Sequence, residues 1–499
     1  MNTDTQRLTV IEKVGYSLGD LAANLIFQTL MTFLAFFYTD VFGIPAGPAS
    51  TIIFVGGMIG AFFNPIMGMI ADRTNTRWGK FRPWILWTSV PFGIVALLAF
   101  STPGFDEQGK ILYAFITYVL LVLIYSANNL PYSALSGVLT GSMSDRNSLS
   151  SYRFVAVMVA QFIIQVLLLP LVLILGDGDK AAGFRNTMML FSIVGVVFFL
   201  ITFFTTRERI VPEPEQKSTV LQDLGDLVSN RSWWLLLGLT VLVFITLALK
   251  GGTYIYYFEN YLDEAAIAAF LDNSGFNSFI AGLNGVLTSI GLTEFRWPED
   301  APTSGFSVFN AGGIIMMIVG IGFSRKLADR FGKRNVFSAA LFVSTLFILV
   351  FWWFPPDAMG LVFGAQVLHG FFYGITIPLL WAMIADVADF SEWKHHRRAT
   401  AIVFSAMICG LKVGLAVGGS LVAGILAHYG YDAALASQSA ETVSGIQMAV
   451  SVYASLPFFI GVGLMCFYQI NKAMESRIEQ DLAQRRLTTG AADVTETAG

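Results

Sequence analysis

Charged residues are scarce in this chain of 499 residues, because only 13% are Asp, Glu, Lys or Arg while 55% are hydrophobic. A soluble domain carries roughly 25% charged residues, so this composition excludes an ordinary soluble protein. The 30 basic and 34 acidic residues nearly balance, which excludes the strongly basic surface of a nucleic-acid-binding protein. We therefore expect a protein of the lipid bilayer with no nucleic-acid partner.

Cysteine and histidine are also rare. The two cysteines, Cys409 and Cys466, both lie in apolar runs, which argues against a disulfide framework. The four histidines show no metal-binding spacing, and the chain contains no glycine-rich loop of the nucleotide-binding type. We therefore expect no metal, no cofactor and no ATP-driven activity, and we do not expect an enzyme. The polar N-terminus, with no clear small-residue cleavage site, predicts no cleavable signal peptide.

Long apolar runs make up most of the chain. A helix needs about 20 residues to span a bilayer, and twelve runs approach or exceed that length. They lie at 17–40, 49–71, 83–101, 111–137, 152–176, 187–206, 233–260, 307–325, 335–354, 359–385, 400–428 and 444–470. The predicted fold class is therefore an all-α membrane protein with twelve transmembrane helices.

The basic residues between these runs are unequally distributed. If the N-terminus is cytoplasmic, 24 of the 30 Lys and Arg residues fall on the cytoplasmic side and four on the other side. The remaining two, Lys250 and Lys412, fall inside spans. The positive-inside rule therefore predicts that both termini are cytoplasmic.

One charged turn occurs twice in the chain. The stretch GMIADRTNTRWGKFRPW covers residues 68–84, and GFSRKLADRFGKRNVF covers residues 322–337, about half the chain later. Two copies of one turn indicate a duplicated helical unit, which is typical of secondary transporters. The charged residues predicted to act in the gate or the loops are Asp72, Arg73, Arg77, Asp329 and Arg330.

The duplication predicts two six-helix bundles, at 1–206 and 233–472, joined by a cytoplasmic linker at 207–232 and followed by a cytoplasmic tail at 473–499. An acidic insertion at 261–306 lies in the second half, on the periplasmic side. Short amphipathic helices are expected within it at 265–271 and 279–292.

Polar side chains inside the spans are costly and mark candidate functional sites. Asp20, Asn24 and Gln28 recur at four-residue intervals and therefore share one face of the first helix. Further candidates in other spans are Asn64, Tyr125, Asn129, Arg153, Gln161, Gln165, Lys250, Gln366, His369, Tyr373, Trp381 and Lys412. Amides, cations and aromatic rings suit a sugar, whose hydroxyls need donors and acceptors and whose ring packs on aromatic faces. The alternative for each amide is a hydrogen bond between helices.

Several of these stretches resemble the glycoside–pentoside–hexuronide:cation symporter family. The similar segments are FYTDVFGI at 37–44, NPIMGMIADRTNTRWGKFRPWI at 64–85, NLPY at 129–132, YRF at 152–154, the glycine–tyrosine segment at 251–258 and ADVADFSEWKHHRRAT at 385–400. The resemblance covers nearly the whole chain outside the insertion and the tail. It implies the major facilitator fold, in which a sugar binds between two bundles and access alternates between the two sides of the membrane.

The resemblance also implies roles for individual residues. It places sugar binding at Asn24, Tyr125, Arg153 and Lys412, and an acidic gate loop at Asp386 and Asp389. Four further residues complete the predicted substrate site, namely Gln28, Asn129, Tyr373 and Trp381. An anionic sugar would favour Arg153 and Lys412 as partners of its carboxylate.

The coupling ion is a separate question. The aspartates that bind sodium in members of the family fall here on Gly60, Asn64 and Asn129, which are all neutral. Sodium prefers anionic ligands that offset its dehydration, so a sodium site is doubtful. The hypothesis is proton coupling through Asp20, with Asn64 as the second candidate, or no coupling at all. A structural alternative for Asp20 is an ion pair with Arg153 or Lys412.

The predicted function is therefore secondary active transport of a glycoside, oligosaccharide or hexuronide by a monomer in a bacterial inner membrane. The alternatives are an uncoupled sugar facilitator and a carrier of a lysolipid-like amphiphile. A lysolipid carrier would need a largely apolar cavity, which the many amides and tyrosines in the spans disfavour. The sequence leaves open the sugar, the coupling ion and the stoichiometry.

Overall fold

The structure is a computed structural model that describes residues 7–140, 143–209, 230–289, 297, 300–395, 400–478, 480–482 and 484. Within this part of the chain, twelve helices are long and apolar enough to cross a membrane, and no strand is present apart from one isolated bridge between Thr76 and Gly79. The predicted all-α class and the twelve spans are confirmed.

The fourteen helices discussed below are numbered in chain order. The first seven spans are α1 Val10–Val41, α2 Ala46–Ala71, α3 Arg82–Ala99, α4 Glu107–Leu139, α5 Ser148–Leu175, α6 Lys180–Thr205 and α7 Arg231–Asn260. The insertion contains α8 Glu264–Asn273 and α9 Phe276–Ser289. The last five spans are α10 Ala301–Phe331, α11 Lys333–Trp353, α12 Met359–Lys394, α13 Ser405–His428 and α14 Ala440–Cys466.

The insertion is shorter than the sequence indicated. Helix α10 begins at Ala301, where Asp300 caps it by accepting a hydrogen bond from the Thr303 N–H, so residues 301–306 belong to the membrane helix. Aspartate at this position satisfies a free backbone donor of the first turn. The insertion therefore ends at 300 and not at 306. The apolar run in the sequence begins after the polar first turn of the capped helix, so it did not indicate where the helix starts.

Helices α1–α6 form one packed set, and α7 with α10–α14 form the other, while α2 and α13 pack extensively against each other across the interface. The same contact closes each set. The Arg82 guanidinium at the start of α3 donates to the Phe203 carbonyl at the end of α6, at 2.7 Å. The Arg334 guanidinium at the start of α11 donates to the Cys466 carbonyl at the end of α14, at 2.9 Å. This repetition gives the duplicated turns a common structural role.

Small residues let helices of one bundle approach closely. A Cβ atom at Gly370 or Gly374 of α12 would collide with the carbonyl oxygens of Gly313 and Met317 of α10. Such close approach replaces the hydrophobic driving force that is missing between helices in lipid.

Polar contacts join the two bundles at one end of their helices. We call the end that carries Lys13, Arg73, Lys333 and Arg334 the basic face. At the opposite face, the hydroxyls of Thr39 and Tyr256 share a 2.7 Å hydrogen bond, and Lys180 forms a 2.9 Å ion pair with Glu259. The Tyr431 hydroxyl donates to Asp40, and the Ser50 hydroxyl donates to the Ser420 carbonyl at 2.9 Å. These bonds hold the bundles together at the opposite face.

Candidate functional site

The polar face of α1 is buried, as its spacing predicted. Asp20, Asn24 and Gln28 are only 5%, 8% and 7% exposed. The Asn24 amide donates to the Asp20 carbonyl at 2.8 Å and to its carboxylate at 3.3 Å. The Arg153 Nε donates to the other carboxylate oxygen at 2.9 Å. Asp20 therefore makes the ion pair with Arg153 that was its structural alternative.

Two tyrosines fix the position of Arg153. Its guanidinium lies 5.4 Å from the ring centroid of Tyr132 and 5.7 Å from that of Tyr16. The two rings stack at 4.5 Å, and each hydroxyl donates to the backbone carbonyl of the other residue. Cation–π attraction and the ion pair act together on one guanidinium. The Asp20–Arg153 pair is therefore a rigid connection between α1 and α5.

Lys412 connects the two bundles near the middle of the spans. Its ammonium donates to the Asn64 side-chain oxygen at 2.7 Å and to the Ser126 hydroxyl at 3.1 Å, and it lies 5.4 Å from the Tyr125 ring centroid. Lys412 belongs to α13, whereas its three partners belong to α2 and α4. Any motion that separates the bundles here must release this ammonium.

A small cavity of about 80 Å³ adjoins Lys412. Its lining includes Tyr125 and Tyr118 from α4, Gly57 and Gly60 from α2, and Ala416 and Gly419 from α13. Small residues on facing helices leave this space beside two aromatic rings, which suits the apolar face of a sugar ring. The small cavity lies between the two bundles.

A large cavity of about 210 Å³ lies on the other side of Phe27 and Met31, which line both cavities. Its polar lining comes from five helices: Gln28 and Thr32 of α1, Gln161 and Gln165 of α5, Lys250 and Tyr254 of α7, Asn310 of α10, and Gln366, His369 and Tyr373 of α12. Both bundles contribute, so the large cavity is an interface between the two halves.

Several polar atoms in the large cavity have no partner. Gln28 Oε1, Thr32 Oγ1, Tyr254 OH and Gln366 Oε1 are buried and make no hydrogen bond within the part of the chain that the structure describes. Buried polar atoms are nearly always paired, so a concentration of unpaired ones in a single cavity points to a polar ligand or to water. The cavity can therefore take up several hydroxyl groups.

The backbone of α5 contributes to this cavity through an irregular turn. Residues Ile163–Leu167 form a π-helical turn, and the Gln165 carbonyl accepts a 3.3 Å hydrogen bond from the Asn310 amide of the other bundle. Single π turns often mark functional positions because they alter the regular bonding of the helix. Asn310 was absent from the predicted site. It is a single amide in an apolar helix, with no periodic partner to distinguish it.

The structure separates the predicted substrate residues into groups. Gln28 and Tyr373 line the large cavity, and Tyr125 and Lys412 line the small cavity. Asn24 and Arg153 are held by Asp20 instead. Asn129 is half-buried, and its buried neighbour Asn128 donates to the Thr88 hydroxyl at 2.8 Å. Trp381 is 38% exposed and lies outside both cavities.

The predicted gate residues lie at the basic face. Lys333 bonds Asp386 at 2.6 Å, whereas Asp329 and Arg325 form a loose, exposed pair at 3.8 Å. Arg77 lies over the Trp78 ring and Arg330 over the Phe331 ring. Arg73 is exposed and Asp389 is half-buried. The side chain of Asp72 lies outside the described residues.

Glu208 is a residue that the sequence did not single out. Its carboxylate accepts hydrogen bonds of 2.7–2.9 Å from three successive backbone N–H groups, those of Lys80, Phe81 and Arg82. These donors belong to the duplicated turn and to the start of α3, where the helix dipole also favours an anion. Glu208 was overlooked because it lies in the segment interpreted as a linker.

The described residues contain no group of three or more His, Cys, Asp and Glu side chains arranged to hold a metal ion. Asn64, the second coupling candidate, is occupied by Lys412 in this structure. Asp20, the first coupling candidate, is paired with Arg153.

Comparison with known proteins adds a separate line of evidence. The sequence model of the family described as MFS/sugar transport protein matches residues 15–288 and 302–472. The chain is 33% identical to the inner membrane symporter YicJ of Escherichia coli (strain K12), over 96% of this chain and 95% of that protein. It is 30% identical to the isoprimeverose transporter of Lactiplantibacillus pentosus, over 96% and 92% of the two chains.

The fold is also similar to solved transporter structures. The crystal structure of the nucleoside transporter NupG superposes with a TM-score of 0.57, covering 93% of this chain and all of that chain at 13% sequence identity. At that identity the likeness concerns the fold alone.

Proposed function

The chain belongs to the MFS/sugar transport protein family, the membership that its motifs predicted, and from this premise we propose that it is a proton-coupled symporter of a glycoside, oligosaccharide or hexuronide. It is a multi-pass protein of the inner membrane. The observation that carries the proposed specificity is the large cavity, where four buried polar atoms from both bundles have no hydrogen-bond partner among the described residues.

The chemistry of this cavity favours a polyhydroxylated substrate. Amide groups both donate and accept, so Gln28 and Gln366 can bond hydroxyls in several orientations. Tyr373 and His369 stack with ring centroids 5.9 Å apart and offer an aromatic wall for a sugar ring. The acyl chain of a lysolipid-like amphiphile would leave the buried polar atoms of this cavity without hydrogen-bond partners, which disfavours such a substrate.

Access is proposed to alternate through separation of the bundles at either end. The excess of basic residues supports a cytoplasmic position for the basic face and for both termini. The contacts at the opposite face then close the periplasmic side in this conformation. For the periplasmic side to open, the bonds of Thr39 with Tyr256 and of Lys180 with Glu259 must break. We propose that one chain suffices, because both cavities are complete within it.

Proton coupling is proposed to act through Asp20. Protonation of this carboxylate would remove its ion pair with Arg153, which connects α1 to α5. Asn24 bonds Asp20 and lies one helical turn from Gln28, which lines the large cavity. A substrate that hydrogen-bonds Gln28 can therefore shift this face of α1 and change the contacts of the Asp20 carboxylate. An uncoupled facilitator is the alternative, in which the pair is only structural.

Binding by the purified full-length protein tests the substrate class. Thermal-shift and calorimetric titrations with a panel of neutral and acidic glycosides should yield at least one ligand. For that ligand, replacing Gln28 with Ala and Gln366 with Leu should each weaken binding by about 1 kcal/mol or more, since each removes a hydrogen bond. Gln108→Ala is the control, because Gln108 lies at the start of α4 and does not line the cavity. A full panel without a ligand, or unchanged affinity in both cavity variants, would refute the proposal.

A further inference from the structure

Lys250 is a buried lysine that has no acidic partner in the described part of the protein. It lies in α7, is 9% exposed and lines the large cavity. The contact of its ammonium is with the face of the Tyr254 ring, whose centroid lies 5.4 Å away. Within the described residues, its Nζ makes no hydrogen bond and no ion pair.

The other two cationic candidates inside the spans are paired. Arg153 has the carboxylate of Asp20, and Lys412 has the oxygens of Asn64 and Ser126. A charge removed from water is tolerated when such a partner compensates for its lost hydration. Lys250 therefore stands out because its position in a cavity leaves the partner to be supplied from outside the protein.

The polar groups around Lys250 indicate which other groups a negatively charged ligand would carry. The unpaired oxygens of Gln28, Gln366 and Tyr254 border the same space, as does the His369 ring. The His369 Nδ1 is engaged by the Ser344 hydroxyl at 2.9 Å and the Ser344 carbonyl at 3.1 Å. These acceptors match hydroxyl groups, whereas the ammonium matches an anion. A ligand that satisfies all of them carries one negative charge and several hydroxyls.

We infer that Lys250 is the residue that recognises an acidic group on the substrate, and that the transported glycoside is a uronic acid or a glycoside of one. This inference rests on the proposed function and specifies its substrate class. It transfers the role of carboxylate partner from Arg153 and Lys412, which already bond protein oxygens, to a lysine that bonds none among the described residues. A carboxylate seated on Lys250 places the sugar hydroxyls among the glutamines of the same cavity.

A matched pair of ligands isolates the carboxylate. Methyl β-D-glucuronide and methyl β-D-glucoside differ in the group at one carbon, and their affinities for the purified full-length protein can be measured by calorimetry. The wild type should bind the glucuronide at least about tenfold more tightly, the value expected for a charged hydrogen bond. Lys250→Met should lose this preference and retain the affinity for the glucoside. Lys250→Arg should retain part of it, because the positive charge remains. Lys326→Met, at an exposed site of the basic face, is the control.

The melting temperature without ligand provides a second measurement. An unpartnered buried ammonium destabilises the protein, so Lys250→Met should melt at the same temperature as the wild type or higher. A lower melting temperature would show that Lys250 has a structural partner and would overturn the inference. Equal wild-type affinity for both ligands, or a glucuronide preference that persists in Lys250→Met, would overturn it as well.

The outcomes separate the inference from the proposed function. Binding of neutral glycosides alone would reject the role of Lys250 and leave the sugar symporter proposal standing. Binding of no glycoside in the wider panel would reject both. Binding of a hydroxylated sulfonate in place of the uronate, with the same loss in Lys250→Met, would keep the anion site and reject the carboxylate assignment.

Discussion

The Lys412 ammonium donates a 2.7 Å hydrogen bond to the side-chain oxygen of Asn64, across the interface between the two bundles. Asn64 is one of the positions where the family resemblance places a sodium-binding aspartate. In this protein a covalently attached cation therefore occupies the oxygen that a metal ion would need. The same bond makes Lys412 part of the contact that holds the bundles in this conformation.

The first prediction concerns the coupling ion. Uptake of the identified glycoside into proteoliposomes should proceed at the same rate in sodium and in potassium buffers, because Asn64 is neutral and already bonded. Radiolabelled uptake at fixed pH measures this. The variant Asn64→Asp should strengthen the contact with Lys412 through a charge and slow transport, while Asp357→Asn, at an exposed loop, should leave the rate unchanged. A sodium-stimulated wild-type rate would contradict the prediction.

The second prediction concerns the Asp20–Arg153 pair. Asp20→Asn should abolish accumulation driven by an inward proton gradient, because an amide cannot take up and release the proton. Exchange of labelled for unlabelled substrate, which needs no net proton movement, should continue. Both are measured on the same proteoliposomes with and without the gradient. If wild type and Asp20→Asn both take up substrate at rates and to levels that do not depend on the gradient, coupling through Asp20 is excluded.

The third prediction concerns the opposite face. Removing a hydrogen bond there should raise the population open at that face by about fivefold, since one such bond contributes about 1 kcal/mol. Tyr256→Phe removes the bond to Thr39, and Glu259→Gln removes the charge that faces Lys180. Spin labels attached at positions 107 and 437 report the distance between the two bundles, measured by double electron–electron resonance. Asp272→Asn, within the insertion, is the control. Identical distance distributions in the wild type and in Tyr256→Phe and Glu259→Gln would show that these contacts do not hold the opposite face closed.

The fourth prediction concerns Glu208. Glu208→Gln should lower the free energy of unfolding by about 1–3 kcal/mol, because the amide side chain has only one oxygen to serve three backbone N–H groups. Thermal melts in detergent compare it with the wild type and with Asp357→Asn, which also removes one negative charge. A melting temperature equal to that of the control would show that the duplicated turn holds its shape without the carboxylate.

The fifth prediction concerns pH. The hydrogen bond from Lys13 lowers the pKa of Asp145, and the Leu8 N–H adds to this effect. A carboxyl group whose pKa is lowered by folding stabilises the protein above its ordinary pKa of about 3.9. That stability is lost as the pH falls through the lower value in the folded protein. The melting temperature of the wild type should therefore fall more steeply below about pH 4 than that of Asp145→Asn. Parallel curves would contradict this.

The sequence predicted well whatever depends on periodicity. Asp20, Asn24 and Gln28 lie at four-residue intervals, so their common buried face followed from helical geometry alone. The repeated turn likewise predicted a duplicated unit, and Arg82 and Arg334 make similar contacts in the two copies of the turn. Such features depend on local or repeated patterns, which can be read directly from the amino-acid sequence.

The pairing of side chains across the fold could not be predicted in the same way. Lys412 was assigned to the substrate site and Lys250 was not, yet Lys412 has two oxygen partners from distant helices and Lys250 has none among the described residues. Arg153 was assigned to the substrate, but its guanidinium is held by Asp20, 133 positions away. Asn310 and Glu208 gave no pattern at all, because their roles depend on a π turn and on backbone donors elsewhere in the chain.

The matching bonds of Arg82 and Arg334 carry a consequence for how the molecule moves. Each bond connects the third helix of a bundle to its sixth. A change of shape within either bundle that separated these two helices would break the bond. We therefore expect the rearrangement of the proposed transport cycle to occur mainly at the interface between the two bundles.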